Sequence, residues 1–205
     1  MRRIVLASAS PARLLILRRA GLEPDVVVSG VDEEGIAAGS VAALVDRLAR
    51  AKACAVAGTA GNTAGDALVV GCDSLLEIDG RPFGKPPSAE EAARWWQARR
   101  GGKGTLHTGH CVVDTATGAV VAATASTEVR FGSPTDEEIA TYVATGEPLQ
   151  VAGAFTLEGL GAWFVEGIDG DAGTVMGLSL PVLRRLFRDV GVPLAEVWPA
   201  HSAMP

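Results

Sequence analysis

At 205 residues the chain has room for one well-buried domain and is short for two that each carry a full core. Hydrophobic residues make up 48% and charged residues 20%, and no uncharged run exceeds thirteen residues, so no stretch is long enough to span a bilayer as a helix. The formal net charge of -6 argues against an extended basic face for a polynucleotide, so any anionic ligand must be gripped locally by a few Lys and Arg side chains.

The start, Met1-Arg2-Arg3-Ile4-Val5-Leu6-Ala7, opens like a secretion signal, but Ser8, Ser10, Pro11 and Arg13 interrupt it before an apolar core forms. Residues 4–7 therefore read as a first strand. Ser10-Pro11 supplies an N-cap and a proline at the first helical position, and Leu14, Leu15 and Leu17 continue a helix. A second strand is expected at 25–29, then an Ala-rich helix from Val41 to about Thr59 that ends in a Gly, Thr and Asn loop. Residues 67–78 are apolar and β-branched at their start and read as a central strand, closed by an Asp79-Gly80 hairpin turn. A helix at 88–99, strands at about 105–113 and 119–131, and helices at 135–144 and 180–190 complete the series. Strands interleaved with helices, with some hairpins, indicate one α/β domain on a mixed sheet, its tail frayed after Val197. Cys54, Cys72 and Cys111 are odd in number and lack metal-ligand spacing, which suits reduced thiols in a cytosol, buried as small hydrophobes.

Several residues stand where chemistry would need them. Ser8-Ala9-Ser10-Pro11-Ala12-Arg13 joins a strand end to a helix start, where free N–H groups and the helix dipole favour an anion. Two hydroxyls and a guanidinium would complete a phosphate cradle; the same residues also fit a plain N-cap with a solvated arginine. Leu44, Leu48 and Lys52 recur at helical spacing, placing the ammonium on the stripe that faces the core, where it either snorkels to water or meets an anion in a cleft. Asp73 lies in the apolar run Leu68-Val69-Val70-Gly71-Cys72-Asp73-Ser74-Leu75-Leu76 and needs a cation or a metal if it is buried. Extending the hairpin register brings Lys85 opposite Ser74, beside Asp73, although Pro82 and Pro86 disturb the ladder. Gly84-Lys85-Pro86 is not a P-loop, because no Ser or Thr follows the lysine and the spacing from Gly80 is short. His107 and His110 lie three apart on a strand and point to opposite faces, a poor metal pair. Trp95 and Trp96 on a helix, and Trp163 on an expected strand, read as packing residues.

Leu6-Ala7-Ser8-Ala9-Ser10-Pro11-Ala12-Arg13, Val31-Asp32-Glu33, Leu48-Ala49-Arg50-Ala51-Lys52-Ala53, Gly71-Cys72-Asp73-Ser74, Gly84-Lys85-Pro86, Gly146-Glu147-Pro148, Ala152-Gly153-Ala154-Phe155 and Glu158-Gly159-Leu160-Gly161 together resemble, in order and spacing, the Maf family of nucleotide pyrophosphatases. The resemblance implies an elongated mixed-sheet α/β fold, bilobed with a central cleft and similar to inosine triphosphate pyrophosphatases. It further implies hydrolysis of a nucleoside triphosphate to monophosphate and pyrophosphate with Mg2+ or Mn2+, in a cytoplasmic homodimer. Carried over by position, Ser8, Ser10 and Arg13 hold phosphate, Lys52 and Lys85 neutralise charge, Asp73 is the proton acceptor or a metal ligand, and Glu33 shares the metal. Ser74 departs from the usual Thr, and Gln150-Val151 from an Asp-Lys pair. Glu158 stands where the pyrimidine-preferring branch has Gln, which looks like the branch active on 7-methyl-GTP; Ala12 stands where that branch has Trp. A nonenzymatic nucleotide-binding regulator of division and a phosphatase releasing orthophosphate are the competing readings.

Overall fold

The computed structural model describes residues 2–60 and 66–198, so the Gly, Thr and Asn loop after the second helix and the tail beyond Trp198 lie outside the described residues. Strand β1 (Arg3–Leu6) is followed by helix α1 (Pro11–Arg19), β2 (Asp25–Val26), α2 (Val41–Ala60), β3 (Ala67–Ile78) and β4 (Arg81–Phe83). Helix α3 (Ala89–Arg99) leads to β5 (Lys103–Asp114), β6 (Val120–Phe131) and α4 (Asp136–Ala144). After three short 3-10 turns come β7 (Val165–Asp169), α5 (Ala172–Val175), α6 (Leu180–Asp189) and α7 (Leu194–Val197). The strands form one mixed sheet in the order β2-β1-β3-β5-β6-β7, with β4 also paired to β3. Among the described residues no helix is long and apolar enough to cross a membrane.

The apolar runs explain the layering. In β1, Ile4 and Leu6 pack with Leu17 of α1 and Leu183, Leu186 and Phe187 of α6, whereas Val5 and Ala7 pack with Ala49, Ala53 and Val56 of α2. A strand buried on both faces needs a continuous hydrophobic run, which β1 and the first half of β3 have. At the other end of the same long strands, Leu76, Leu106 and Phe131 form a separate core with Trp96 of α3 and Ile139 and Tyr142 of α4. Three clusters on one seven-stranded sheet, two of them on opposite faces of β1, give the mixed-sheet α/β architecture with flanking helices that the resemblance implies.

Helix α2 sits unusually close to the sheet. A Cβ added at Gly71 would lie 2.4 Å from the Ala49 carbonyl oxygen, and one at Gly109 would lie 2.2 Å from that of Val45. Only glycine permits this approach. It sets the turn of α2 carrying Lys52 against the stretch of β3 carrying Asp73.

The hairpin after β3 forms as the sequence indicates. Asp79 (φ 49°) and Gly80 (φ 74°) are both left-handed, as a two-residue turn matched to strand twist requires, and Ile78 faces Arg81. The expected strand at 25–29 contracts to Asp25–Val26, because β2 is an edge strand that, among the described residues, pairs with β1 alone; Val28 is already 65% exposed. Trp163 is not on a strand. It lies in the 3-10 turn Leu160–Phe164, 86% exposed, and β7 starts two residues later. Trp96 is buried as expected, its indole N–H donating to the Ala154 carbonyl at 2.8 Å. Cys72 and Cys111 are buried, their thiols pushed up by desolvation to about 11 and about 12, but Cys54 is exposed on α2 and is no core residue.

Candidate active site

Strand β3 is the structural origin of the site. Along one edge it pairs with β5 without interruption from Leu68 to Glu77. Along the other edge β1 pairs with residues Ala67 to Val70 and β4 with Leu76 to Ile78, so residues 71–75 have no strand partner there among the described residues. The chain leaving β1, carrying Ser8, Ser10 and Arg13, passes beside this open stretch, and its last ladder bond runs from the Ala7 N–H to the Val70 carbonyl. Strand alternation then turns Asp73 toward α2 and Ser74 toward the α1 side.

On the α2 side, Lys52 Nζ donates to Asp73 Oδ1 at 2.6 Å and lies 2.8 Å from Glu33 Oε1. The Lys52 and Asp73 side chains are 12% and 10% exposed, whereas Glu33 is half exposed. The lysine on the core-facing stripe is therefore explained by a buried carboxylate. Desolvation holds the Asp73 carboxyl above its ordinary pKa, opposed mainly by the charge and hydrogen bond of Lys52 and then by Arg13.

On the α1 side, Arg13 is 9% exposed and three of its N–H groups are committed. Nε donates to the Gly177 carbonyl at 2.8 Å, Nη1 to Ser8 Oγ at 3.0 Å and Nη2 to Ser74 Oγ at 3.0 Å. A guanidinium has five donors, so one N–H on each Nη remains for a ligand. Ser8 Oγ accepts from Arg13 and from the Ser10 N–H at 3.2 Å, which leaves its own proton to donate. Ser10 caps α1, accepting from the Arg13 N–H at 3.5 Å, and Pro11 fills the first helical position.

Not every expected residue joins this group. Lys85 does not pair with Ser74: Thr108 of β5 stands opposite Ser74, the β4 ladder ends at Phe83, and the Gly84 carbonyl accepts from the Gly153 N–H at 2.8 Å. Pro82 stays inside the ladder opposite Glu77; the chain departs after Phe83, where Gly84 bonds Gly153 and Pro86 follows, and Lys85 is left exposed. Glu158 stands on an exposed turn, one carboxylate oxygen accepting from the Leu157 N–H at 3.2 Å, with no contact to Asp73, Lys52 or Arg13. His107 and His110 point to opposite faces as expected. His107 bonds Ser126 at 2.8 Å and Glu77 at 3.0 Å, while His110 Nε2 accepts from the Ser179 N–H at 2.8 Å.

Two supporting residues escaped the sequence. Glu147 accepts from Tyr142 Oη (3.0 Å), Thr156 Oγ1 (2.7 Å), the Leu160 N–H (2.9 Å) and the Gly161 N–H (2.9 Å), fixing the segment that carries Glu158. Arg99 is buried over the Trp96 ring at 3.8 Å and donates to the carbonyls of Gly153 and Ala154. Burial lowers its pKa to about 9. For Glu147 the only signal was its place in the Gly146-Glu147-Pro148 motif; Arg99 ends an amphipathic helix like any surface arginine.

A divalent cation can be tested against these donors. Among the described residues no three His, Cys, Asp or Glu side chains converge as a ready cage. Asp73 and Glu33 do converge on one ammonium, and two hard carboxylates supplemented by substrate phosphates suit Mg2+ or Mn2+. The residues therefore fit the ion.

Comparison with known proteins gives the family. A protein of Streptomyces coelicolor named nucleoside triphosphate pyrophosphatase is 62% identical over 197 residues, covering 96% of this chain and 95% of that one. Its counterparts of the same name in Streptomyces avermitilis and Salinispora tropica are 59% and 56% identical, covering 96% of this chain and 95% and 87% of theirs. A crystal structure of a nucleoside-triphosphatase / dITP/XTP pyrophosphatase from Mycobacterium abscessus overlaps 63% of this chain and 74% of that chain at 18% identity with a TM-score of 0.39, a partial likeness on which nothing further rests. The profile of the family described as Maf-like protein matches residues 3–190, and the chain belongs to that family.

Proposed function

We infer that this chain is a nucleoside triphosphate pyrophosphatase that cleaves the bond between the α- and β-phosphates. The observation that carries the reading is a sequestered carboxylate, Asp73, held by Lys52 on one side of an open strand edge, with the partly free fork of Arg13 on the other. Polyphosphate chemistry needs this combination: cations to absorb charge on the phosphates and one base to take a proton from water.

In this reading, the free N–H of each Arg13 Nη, the Ser8 hydroxyl and the first turn of α1 with Ser10 grip phosphate oxygens. Asp73 accepts a proton as water oxygen attacks the α-phosphorus. The bond from that phosphorus to the bridging oxygen breaks, and pyrophosphate departs with the electron pair. Lys52 stabilises the ionised form of Asp73 before attack, and the exposed Lys85 neutralises the leaving pyrophosphate. Asp73 and Glu33 would hold Mg2+ or Mn2+, which when bound supplies charge neutralisation and acidifies a water. The resemblance further supports a cytoplasmic location and a homodimer; light scattering on the purified protein tests the dimer.

Base choice is assigned to Glu158. A carboxylate only accepts, so it suits the paired N–H donors of a guanine edge and would attract a cationic 7-methylguanine. Its exposed turn is braced by Glu147, leaving an oxygen available. Turnover of 7-methyl-GTP, GTP, dTTP and UTP tests this; a clear preference for dTTP and UTP would overturn it. The bond cleaved is tested by running the reaction in heavy-oxygen water. Label in the monophosphate supports attack at the α-phosphorus; label in the pyrophosphate refutes it.

A further inference from the structure

Arg13 is held by a closed ring of hydrogen bonds that reaches well away from the strand edge. Thr108 Oγ1 donates to the Thr174 carbonyl at 2.7 Å. A hydroxyl has one proton, so in its 2.9 Å contact with Ser74 Oγ, Thr108 must accept and Ser74 must donate. Ser74 Oγ in turn accepts from Arg13 Nη2 at 3.0 Å. Every proton in the series is thereby assigned, running from Arg13 through Ser74 and Thr108 to the Thr174 carbonyl.

The second arm returns to the same carbonyl. The Gly177 N–H donates to the Thr174 carbonyl at 3.2 Å, closing a turn that presents the Gly177 carbonyl to Arg13 Nε at 2.8 Å. Gly177 has φ 98°, and a Cβ there would lie 3.1 Å from Arg13 Nε, so a side chain at this position would crowd the guanidinium. The turn is fixed to the sheet by flanking bonds: Thr127 Oγ1 donates to the Asp171 carbonyl at 3.0 Å, and His110 Nε2 accepts from the Ser179 N–H at 2.8 Å. Thr108 is fully buried, on the far side of Ser74 from the guanidinium, yet it is the group that ties both arms together.

We propose that Thr108 is a positioning residue for Arg13, acting through Ser74 on one side and the Thr174–Gly177 turn on the other to aim the two free guanidinium N–H groups at a polyphosphate. This deepens the pyrophosphatase reading and rests on it for the identity of the ligand. An arginine side chain has several rotors, and fixing its head at three points removes most of the ordering cost at the moment of binding. Without the Thr108 hydroxyl, Ser74 loses its acceptor and the Thr174 carbonyl loses one of the bonds that fix the turn, so the fork drifts while the charge remains. Misplacement of a gripping group by about 1 Å can cost about 100-fold in rate.

The test is a set of variants read by kcat/KM and by calorimetric binding of inorganic tripolyphosphate. Thr108→Val should bind tripolyphosphate more weakly and lose up to about 100-fold in kcat/KM, while Thr108→Ser, which restores the hydroxyl, should recover both. In an Arg13→Ala background Thr108→Val should change neither quantity further, because its route of action is gone. Should Thr108→Val fail to fold, Thr108→Ala carries the same test; Ser74→Ala, which removes a direct partner of Arg13, counts only against the proposal, by changing nothing. Unchanged binding and turnover in a folded Thr108→Val or Ser74→Ala, additive loss in the Arg13→Ala background, or failure of serine to rescue would each overturn the proposal. A wild-type protein that binds tripolyphosphate but turns over no nucleotide would instead refute the pyrophosphatase reading and leave the binding arm to decide on Thr108.

Discussion

Replacing Lys52 by methionine keeps the length of the side chain and removes its charge, which isolates what the ammonium does for Asp73. The pair is close, 2.6 Å from Nζ to Oδ1, and the carboxylate is 10% exposed, so it behaves as a buried ion pair. Removing one partner of such a pair costs about 3–5 kcal/mol. Arg13 still favours the ionised form, so the lower end, about 3 kcal/mol, applies wherever Asp73 stays charged. For a domain of this size that corresponds to a Tm lower by about 6–12 °C. The pH dependence follows from the direction of the shift. Desolvation already holds the Asp73 pKa above its unfolded value, and loss of Lys52 raises it further. A carboxylate of this kind costs nothing while protonated and destabilises progressively as pH rises through its folded pKa. The Tm deficit of Lys52→Met should therefore be small near about pH 4 and largest near about pH 8. The acid limb of kcat/KM against pH should move to higher pH. Thermal melts and rate profiles of both proteins across that range provide the assay. An acid limb that stays in place, with a Tm deficit independent of pH, would refute the pairing as the source of Asp73 ionisation.

Asp73→Asn should fold, with a Tm at pH 8 no lower than wild type because a costly buried charge is gone, and should lose about 100- to 10,000-fold in kcat; near-normal turnover would overturn its role. His110 is held neutral, burial lowering its pKa from 6.5 to about 4. A depressed histidine contributes its stability above the unfolded pKa and loses it as pH falls toward the folded one, so about 3 kcal/mol should vanish between those values. His110→Gln, whose amide oxygen can still accept from Ser179, should flatten that acid slope; an unchanged slope in urea titrations would argue against it. Glu147→Gln puts an amide donor where only acceptors fit, and should cost about 1–3 kcal/mol while raising KM more than it lowers kcat, because it loosens the turn bearing Glu158; steady-state kinetics and melts check this, and an unchanged KM would refute it.

The parts of the fold governed by local rules were readable from the chain. Ser10-Pro11, Asp79-Gly80 and the double-sided apolar runs of β1 and β3 each specify their structure through capping, positive φ or burial, and each appears as expected. Lys52 and Asp73 betrayed themselves as charges in apolar positions, and they meet. What failed depended on long-range placement. The shortness of β2 follows from its having a neighbour on one edge only, which no local pattern encodes. The exposure of Trp163 follows from a 3-10 turn that its hydrophobicity conceals. Lys85 was placed by extending a ladder that ends at Phe83, where the chain turns to bond Gly153. Thr108 could not be singled out and Glu147 was marked only by its motif, because a buried threonine on a strand and a glutamate after a helix carry no periodic anomaly. Their importance lies in partners 66 and 14 residues away.

Product analysis tests the central claim most directly. Purified protein given nucleoside triphosphates with Mg2+ or Mn2+ should release one pyrophosphate for each monophosphate formed, and Asp73→Asn, folded to the same degree, should release almost none. Orthophosphate as the product, or tight nucleotide binding without turnover in the wild-type protein, would contradict the account.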